Sequence, residues 1–493
     1  MTSQRLLVER VILAAIVLVY LVLGTVYAIV TPPWQVPDEP AHYNYVRYLV
    51  EERRLPRLEM GDYDQAYLHE ITTARFDPSY SIDGIRYEFH QPPLYYLWAA
   101  PIYAAFGGAL LPLRLFSVAL GAALVVVAYL VAKAVYPQLA WPALGTAALI
   151  AFLPQHIAMT AGVENDTLAE LLLALILLRL VHWLKRDGIG AYRTLVLTGI
   201  LIGLALLTKA GVYITVPLAL VAVLLKTYRR APAGKRALNL RSALLAAACL
   251  LLPALLIGLP WFVRNALEYG GLDILGLQQH NRVVAGQPRT ADVIAANGAL
   301  ATAWDWANTT FHSFWGQFGW MAVPMDGRVY GAIWLFGIVV GLGFLFGLAE
   351  AREQGKLTPG ALLLGCSALL TLCTYLGYNL GFYQAQGRYL YPALIPIGLG
   401  VSAGLHKSLR RRDALLTAVA LAVATLVVAA RYFLQGCGTK WKILTNAAGA
   451  AFYGLRWRVP DKLAPWFFAA PYLLLAILAA ASPFWFIRPY LTP

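Results

Sequence analysis

The chain has 493 residues, of which 60% are hydrophobic and only 13% charged, and its mean hydropathy is +0.62. This excludes a water-soluble globular protein and points to a polytopic membrane protein. The formal charge of +14 suggests nucleic acid only until the basic residues are located: they flank apolar helices, where they orient spans, so no nucleic-acid partner is expected.

A bilayer core asks for about 20 mostly apolar residues per helix. The first run, 6–30, is long enough to stay as a span, and no small-residue cleavage site follows a short apolar core. Next comes "VPDEPAHYNYVRYL" (36–49), where Pro37 and Pro40 stiffen the chain around Asp38 and Glu39. The short run 92–106, "PPLYYLWAAPIYAAF", begins with two prolines. Further apolar runs cover 110–132, 139–161, 167–184, 192–208, 210–225, 242–263, 329–349, 359–382, 389–405, 414–433 and 467–487. The chain crosses twelve times if 92–106 lies at the interface, and thirteen times if it spans.

The basic residues decide between these threadings. With twelve crossings and a cytoplasmic N-terminus (Arg5, Arg10), Lys133, Lys185, Arg186, Arg193, "KTYRRAPAGKR" (226–236), "AREQGK" (351–356) and "HKSLRRR" (406–412) all fall on the cytoplasmic side. Thirteen crossings break that rule repeatedly. Segment 92–106 is therefore expected to be interfacial, rich in Tyr and Trp. The fold expected is an all-α polytopic membrane protein: a transmembrane domain over 1–433 with external loops 31–109 and 264–328, then an external amphipathic segment and a last span within 434–493.

This threading gathers six unusual segments on the external face: "WQVPDEPAHYNYVRYL", "YEFHQPPLYY", "GVENDTLAE", "LLTKAGVY", "TFHSFWGQFGWM" and "YQAQGRYLYP". Six polar, aromatic segments on one face point to one external cavity. Asp38 reads as a helix cap, a catalytic carboxylate, or both, with Glu39 beside it. His42 and Tyr43 follow on the same polar helix. His90, with Gln91 and Tyr95, reads as a loop histidine or as a hydrogen-bonding or metal-ligating group. Glu164 and Asp166 either cap the next helix or face the cavity, and Glu170 lies within the membrane, where a carboxylate needs a partner. Arg114 and Lys209 either snorkel or meet an anion. Arg388 is favoured for phosphate by its planar fork of donors, beside Gln386, Tyr389 and Gly387, a glycine read as allowing close ligand approach. His312 and Trp315 belong to an aromatic belt or stack on a sugar. The cysteines, Cys249, Cys366, Cys373 and Cys437, form no CxxC or Cys/His cluster, so neither a disulfide framework nor a zinc site is expected.

A cationic clamp and a carboxylate at headgroup height suit sugar transfer from a lipid phosphate: the phosphate leaves as a weak base stabilised by positive charge, and the carboxylate takes the acceptor's proton. The motifs "PDEPAHYNYVRYL", "HQPPLYY", "NDTLAE", "LLTK", "FWGQFGW" and "QGRYLYP", in this order over roughly 30–400, resemble the GT-C superfamily of polytopic glycosyltransferases that use polyprenyl-phosphate sugars. They are most similar to bacterial relatives of the protein O-mannosyltransferases and of the lipid A aminoarabinose transferase. The resemblance implies a catalytic acid at Asp38, an extracytoplasmic active site in the bacterial plasma membrane, a polyprenyl-phosphate sugar donor, a membrane-lipid environment and inversion at the sugar carbon. It requires no cofactor; some members bind a divalent metal, to which His90, Glu164 and Asp166 are the candidates here. The extra luminal β-domain of the eukaryotic mannosyltransferases is missing, which leaves the acceptor open. A lipid-linked sugar flippase, another transporter and a glycan polymerase are the competing readings.

Overall fold

The computed structural model describes residues 3–186, 192–228, 240–435 and 438–493. Most of the basic run 226–236 and Cys437 lie outside the described residues. The fold is almost wholly helical. Among the described residues, nine helices are long and apolar enough to cross a membrane, ten if the bent pair Ala140–Phe152 and Pro154–Thr160 counts as one span. The other two apolar runs form Tyr192–Leu206 and Leu394–Ser408, each of 15 residues, the second preceded by the tight 3₁₀ stretch Gly387–Ala393. Leu94–Ala105 has 12 residues with Pro101 inside. At 1.5 Å per residue it extends about 18 Å, short of a bilayer core of roughly 30 Å. It packs instead on Glu39–Glu52, where the Tyr45 and Tyr96 rings stack at 3.7 Å.

The 62° break between Ala140–Phe152 and Pro154–Thr160 follows from Pro154, which cannot donate a helical hydrogen bond. The His156 ring satisfies one freed carbonyl, with Nδ1 3.0 Å from Ile150 O, and its Nε2 meets Glu170 Oε2 at 3.1 Å. The intramembrane Glu170 thus has its partner in the broken span.

The C-terminal residues 434–493 depart from the expected external segment plus one span. Lys440–Arg458 runs antiparallel along Arg411–Gln435. At one end Trp441 Nε1 donates to Arg328 O (3.1 Å); at the other, Arg411 Nε donates to Trp457 O (3.2 Å) and Tyr453 OH meets Ser408 Oγ (3.0 Å). Its 19 residues extend about 28 Å, so it traverses the bundle rather than lying outside it. Ala464–Ser482 then runs back. The C-terminus closes on the first long loop: Gln35 Nε2 donates to Leu491 O (3.1 Å) and Arg75 Nη1 to Thr492 O (2.9 Å). The Lys440–Arg458 helix escapes a hydropathy reading because charged residues stand at its ends and a neighbouring helix covers one side.

The two long loops fold into short helices over one end of the bundle. A small apolar core of Ala41, Ile71, Phe76, Ile85, Tyr87, Val284 and Phe382 sits beneath them. Both loops are ordered by burial of their own side chains. Trp320 Nε1 ties one loop to the other by donating to Trp34 O at 3.0 Å.

Candidate functional site

The six polar, aromatic segments converge on this end. Asp38 precedes the helix Glu39–Glu52 with left-handed backbone (φ 66°), and its side chain makes no capping hydrogen bond. A left-handed non-glycine residue costs about 1–2 kcal/mol, less for Asp and Asn; here the twist turns the carboxylate away from the helix and into the site. One oxygen accepts from Tyr87 OH (2.6 Å) and the other from Arg388 Nη2 (2.5 Å), 350 residues along the chain. Burial pushes the Asp38 carboxyl up, but the Arg388 charge and the Tyr87 hydrogen bond outweigh it and bring it down to about 2.

Arg388 stands at the start of the 3₁₀ stretch. Its Nε donates to Gln386 Oε1 (2.7 Å), its Nη1 lies 3.7 Å from Glu164 Oε2, and its guanidinium lies over the Tyr389 ring at 5.3 Å. Gly387 explains this placement differently from the sequence reading. A Cβ there would meet Phe314 N and Thr310 O at 2.4 Å, so the glycine admits the helix Ala299–Trp315, not a ligand. Its N–H donates to Ser313 Oγ (2.8 Å).

Around this pair stand Lys209, bonded to Asp166 at 2.6 Å, and His42, whose Nδ1 meets Tyr96 OH at 2.7 Å. Burial lowers the Lys209 ammonium, but Asp166 and Glu164 more than compensate and hold it charged. Burial and the nearby Lys209 charge push the His42 ring down to about 3, so it is neutral. The Glu164 carboxyl is fully buried, with no hydrogen bond at Oε2, and burial followed by the Asp166 charge raises it well above the usual range. Gln91 and Asn165 lie alongside: Asn165 Nδ2 donates to Thr208 O (3.0 Å) and approaches Gln91 Oε1 (3.5 Å).

Two residues passed over in the sequence belong here. Tyr87 holds Asp38. Glu88 has a buried Oε2 without a hydrogen-bond partner, and burial, then the Asp38 charge, lifts its carboxyl to about 7. Both lie in "YEFHQPPLYY"; an acid and a phenol just before the interfacial helix were the available signal.

Other candidates are used differently. Glu39 is fully buried and accepts from Arg114 Nε (2.7 Å) and Nη2 (2.6 Å), Trp34 N (3.0 Å) and Val163 N (3.2 Å). Arg114 gives its remaining donors to Ala28 O (2.9 Å), Thr31 O (2.7 Å) and Pro32 O (3.2 Å). Neither has a group left for substrate: the pair stitches the first loop to the bundle, correcting the expected catalytic role of Glu39 and phosphate role of Arg114. Tyr43 donates to Gly108 O (2.7 Å), and Tyr95 OH meets Ser117 Oγ (2.8 Å) in the core. His312 stacks on Tyr330 at 3.9 Å, and the Trp315 ring packs edge-on to Phe314. The His90 ring lies 4.4 Å from that of His280. Among the described residues no three His, Cys, Asp or Glu side chains group as metal ligands. His90, Glu164 and Asp166 do not form such a set.

The fold compares with solved membrane enzymes. A structure of ArnT from Cupriavidus metallidurans bound to undecaprenyl phosphate matches with a TM-score of 0.54 at 16% identity, covering 95% of this chain and 77% of that one. ArnT in the apo state gives 0.51 at 14% identity, covering 95% and 76%. The Archaeoglobus fulgidus oligosaccharyltransferase in the apo form gives 0.49 at 14% identity, covering 92% of this chain and 59% of that one. At these identities the likeness to ArnT is one of fold. A comparison with curated protein sequences yields no significant match. The family model described as "Predicted membrane protein (DUF2142)" matches residues 85–397, more than half of the 493, and the chain belongs to that family.

Proposed function

We propose that this chain is an inverting membrane glycosyltransferase that moves a sugar from a polyprenyl-phosphate donor to a lipid, glycan or protein acceptor. The reaction takes place on the face that holds Asp38, the extracytoplasmic face, with the N-terminus in the cytoplasm; the bias of basic residues toward the other face supports that orientation. The observation that carries the reading is the Asp38–Arg388 contact of 2.5 Å, an acid and a cation drawn together across 350 residues of sequence at the bundle's loop-covered end. The ArnT-like fold, and the undecaprenyl phosphate bound in one ArnT structure, support it.

The chemistry follows from competition for Arg388. Without donor, Arg388 neutralises Asp38 and makes it a weak base. A donor phosphodiester brings a negative charge that takes the guanidinium, with the Lys209 ammonium close by. Asp38 then loses the charge that depressed it and becomes more basic where an acceptor hydroxyl is held. The acceptor oxygen attacks the sugar carbon opposite the phosphate, its proton passes to Asp38, the carbon–oxygen bond to phosphate breaks, and polyprenyl phosphate leaves with the electron pair. Loss of a general base costs about 10²–10⁴-fold in rate. In lipid nanodiscs, Asp38→Asn should bind undecaprenyl phosphate at least as tightly as the wild type, because the competing carboxylate is gone, and lose sugar transfer by that factor, while Arg388→Ala should lose the lipid phosphate. Normal transfer by Asp38→Asn, or unchanged lipid-phosphate affinity of Arg388→Ala, removes the proposal.

A further inference from the structure

Beside the Asp38 site lies a cavity of about 230 Å³ lined by Gly61, Asp62, Tyr63, Asp64, Tyr67, Leu68, Gly84, Ile85 and Tyr87. It shares a wall with the catalytic acid, because Tyr87 lines it and donates its hydroxyl to Asp38. The Tyr63 ring stands edge-on to Tyr87 at 5.5 Å.

Several bonds hold the walls in place. Asn44, on the helix that follows Asp38, donates to Ile82 O (2.6 Å) and Ile85 O (2.9 Å). Arg47 on the same helix bonds Asp83 (2.6 Å). Arg86 N donates to Asp62 O (3.0 Å), and Tyr67 OH to Ser81 O (2.6 Å). The cavity floor is therefore indexed to the helix that positions Asp38.

The lining is three phenol rings and two carboxyl side chains, with no lysine or arginine. That chemistry repels a phosphate and suits a neutral polyhydroxyl ring, whose C–H faces lie on aromatic rings and whose hydroxyls donate to carboxylates. At about 30 Å³ per water the space equals seven or eight waters, enough for one sugar ring. We propose that this cavity is the acceptor subsite and that its ligand is a neutral sugar ring at the end of a glycan or glycolipid, presented to Asp38 past Tyr87.

The assignment rests on the transferase reading, and the test keeps the two apart. The full-length protein in nanodiscs is probed by saturation-transfer NMR with methyl mannoside, methyl galactoside and N-acetylglucosamine, and with a Ser/Thr-rich peptide. One glycoside should bind. Gly84→Phe puts a bulky ring on the cavity wall without backbone strain, since Gly84 lines the cavity, a Cβ there has nothing within 4 Å and its φ is not positive. It should weaken that glycoside by about tenfold or more, as should Tyr67→Ala, while undecaprenyl phosphate still binds and shows the variants folded. Arg388→Ala should keep the glycoside. No glycoside binding by the wild type, unchanged binding in both cavity variants, or binding of the peptide in place of the glycosides overturns the subsite. Glycoside binding without any affinity for undecaprenyl phosphate overturns the transferase reading and leaves the sugar site standing.

Discussion

Glu39→Gln distinguishes a structural from a chemical role for the second acid of "PDEP". Glu39 is fully buried and Arg114 is 3% exposed, and the carboxylate accepts four hydrogen bonds, two from that guanidinium. The substituted amide keeps an oxygen for one or two of them but removes the charge. Arg114 is then left buried with no counter-charge, its guanidinium held by backbone carbonyls and at most one amide oxygen. Breaking one side of a buried ion pair costs about 3–5 kcal/mol. Replacing both partners with matched apolar or neutral groups costs much less, so Glu39→Gln/Arg114→Met should recover part of the loss. The assay is the half-life of monodisperse protein at fixed temperature in detergent, with undecaprenyl phosphate binding and transfer measured per folded molecule. The expected result is a sharply shortened half-life for the single variant, partial recovery in the double variant, and near-normal function in whatever remains folded. A Glu39→Gln protein as durable as the wild type but about a hundredfold slower in transfer, the loss expected of a missing general base, would refute this reasoning and return Glu39 to the chemistry.

Gly387→Ala should loosen the contact with the helix Ala299–Trp315, since its Cβ would lie 2.4 Å from two backbone atoms of that helix. Overpacking costs about 1–3 kcal/mol, and undecaprenyl phosphate affinity, measured by titration, should fall because Arg388 is displaced; unchanged affinity shows that the close approach does not position Arg388. Glu88 predicts a pH dependence of stability. Its carboxyl is raised from 4.5 to about 7, so its contribution is complete below pH 4.5 and is lost as pH rises through 7. The thermal midpoint of the wild type should fall across that window and Glu88→Gln should remove the decline, while Asp38, held near 2, acts only in strong acid; an identical slope in both proteins refutes the assignment. Cysteines introduced singly at Asp64 and Thr492 should react with a membrane-impermeant maleimide from the same side of sealed vesicles, because Arg75 and Gln35 hold the C-terminus against the first loop; labelling from opposite sides refutes the return of the last helix.

Local chemistry alone made the helical membrane fold and the interfacial character of 92–106 legible, because a bilayer demands long apolar helices and biases their basic flanks. The same reasoning marked Asp38, Arg388, Lys209, Glu164 and Asp166, since charge at a helix end on the non-basic face has no orienting role. Which charges cancel which depended on contacts between distant residues. Only packing shows that Arg114 is consumed by Glu39 across 75 residues and that Asp38 meets Arg388 across 350. The Gly387 requirement lies in the backbone of another helix, and the traverse by Lys440–Arg458 lies in a face that its neighbour covers. Short-range pattern reports the solvent a segment needs; pairing energies between segments are set by distances that the order of residues does not contain, so they emerge only once the chain has folded.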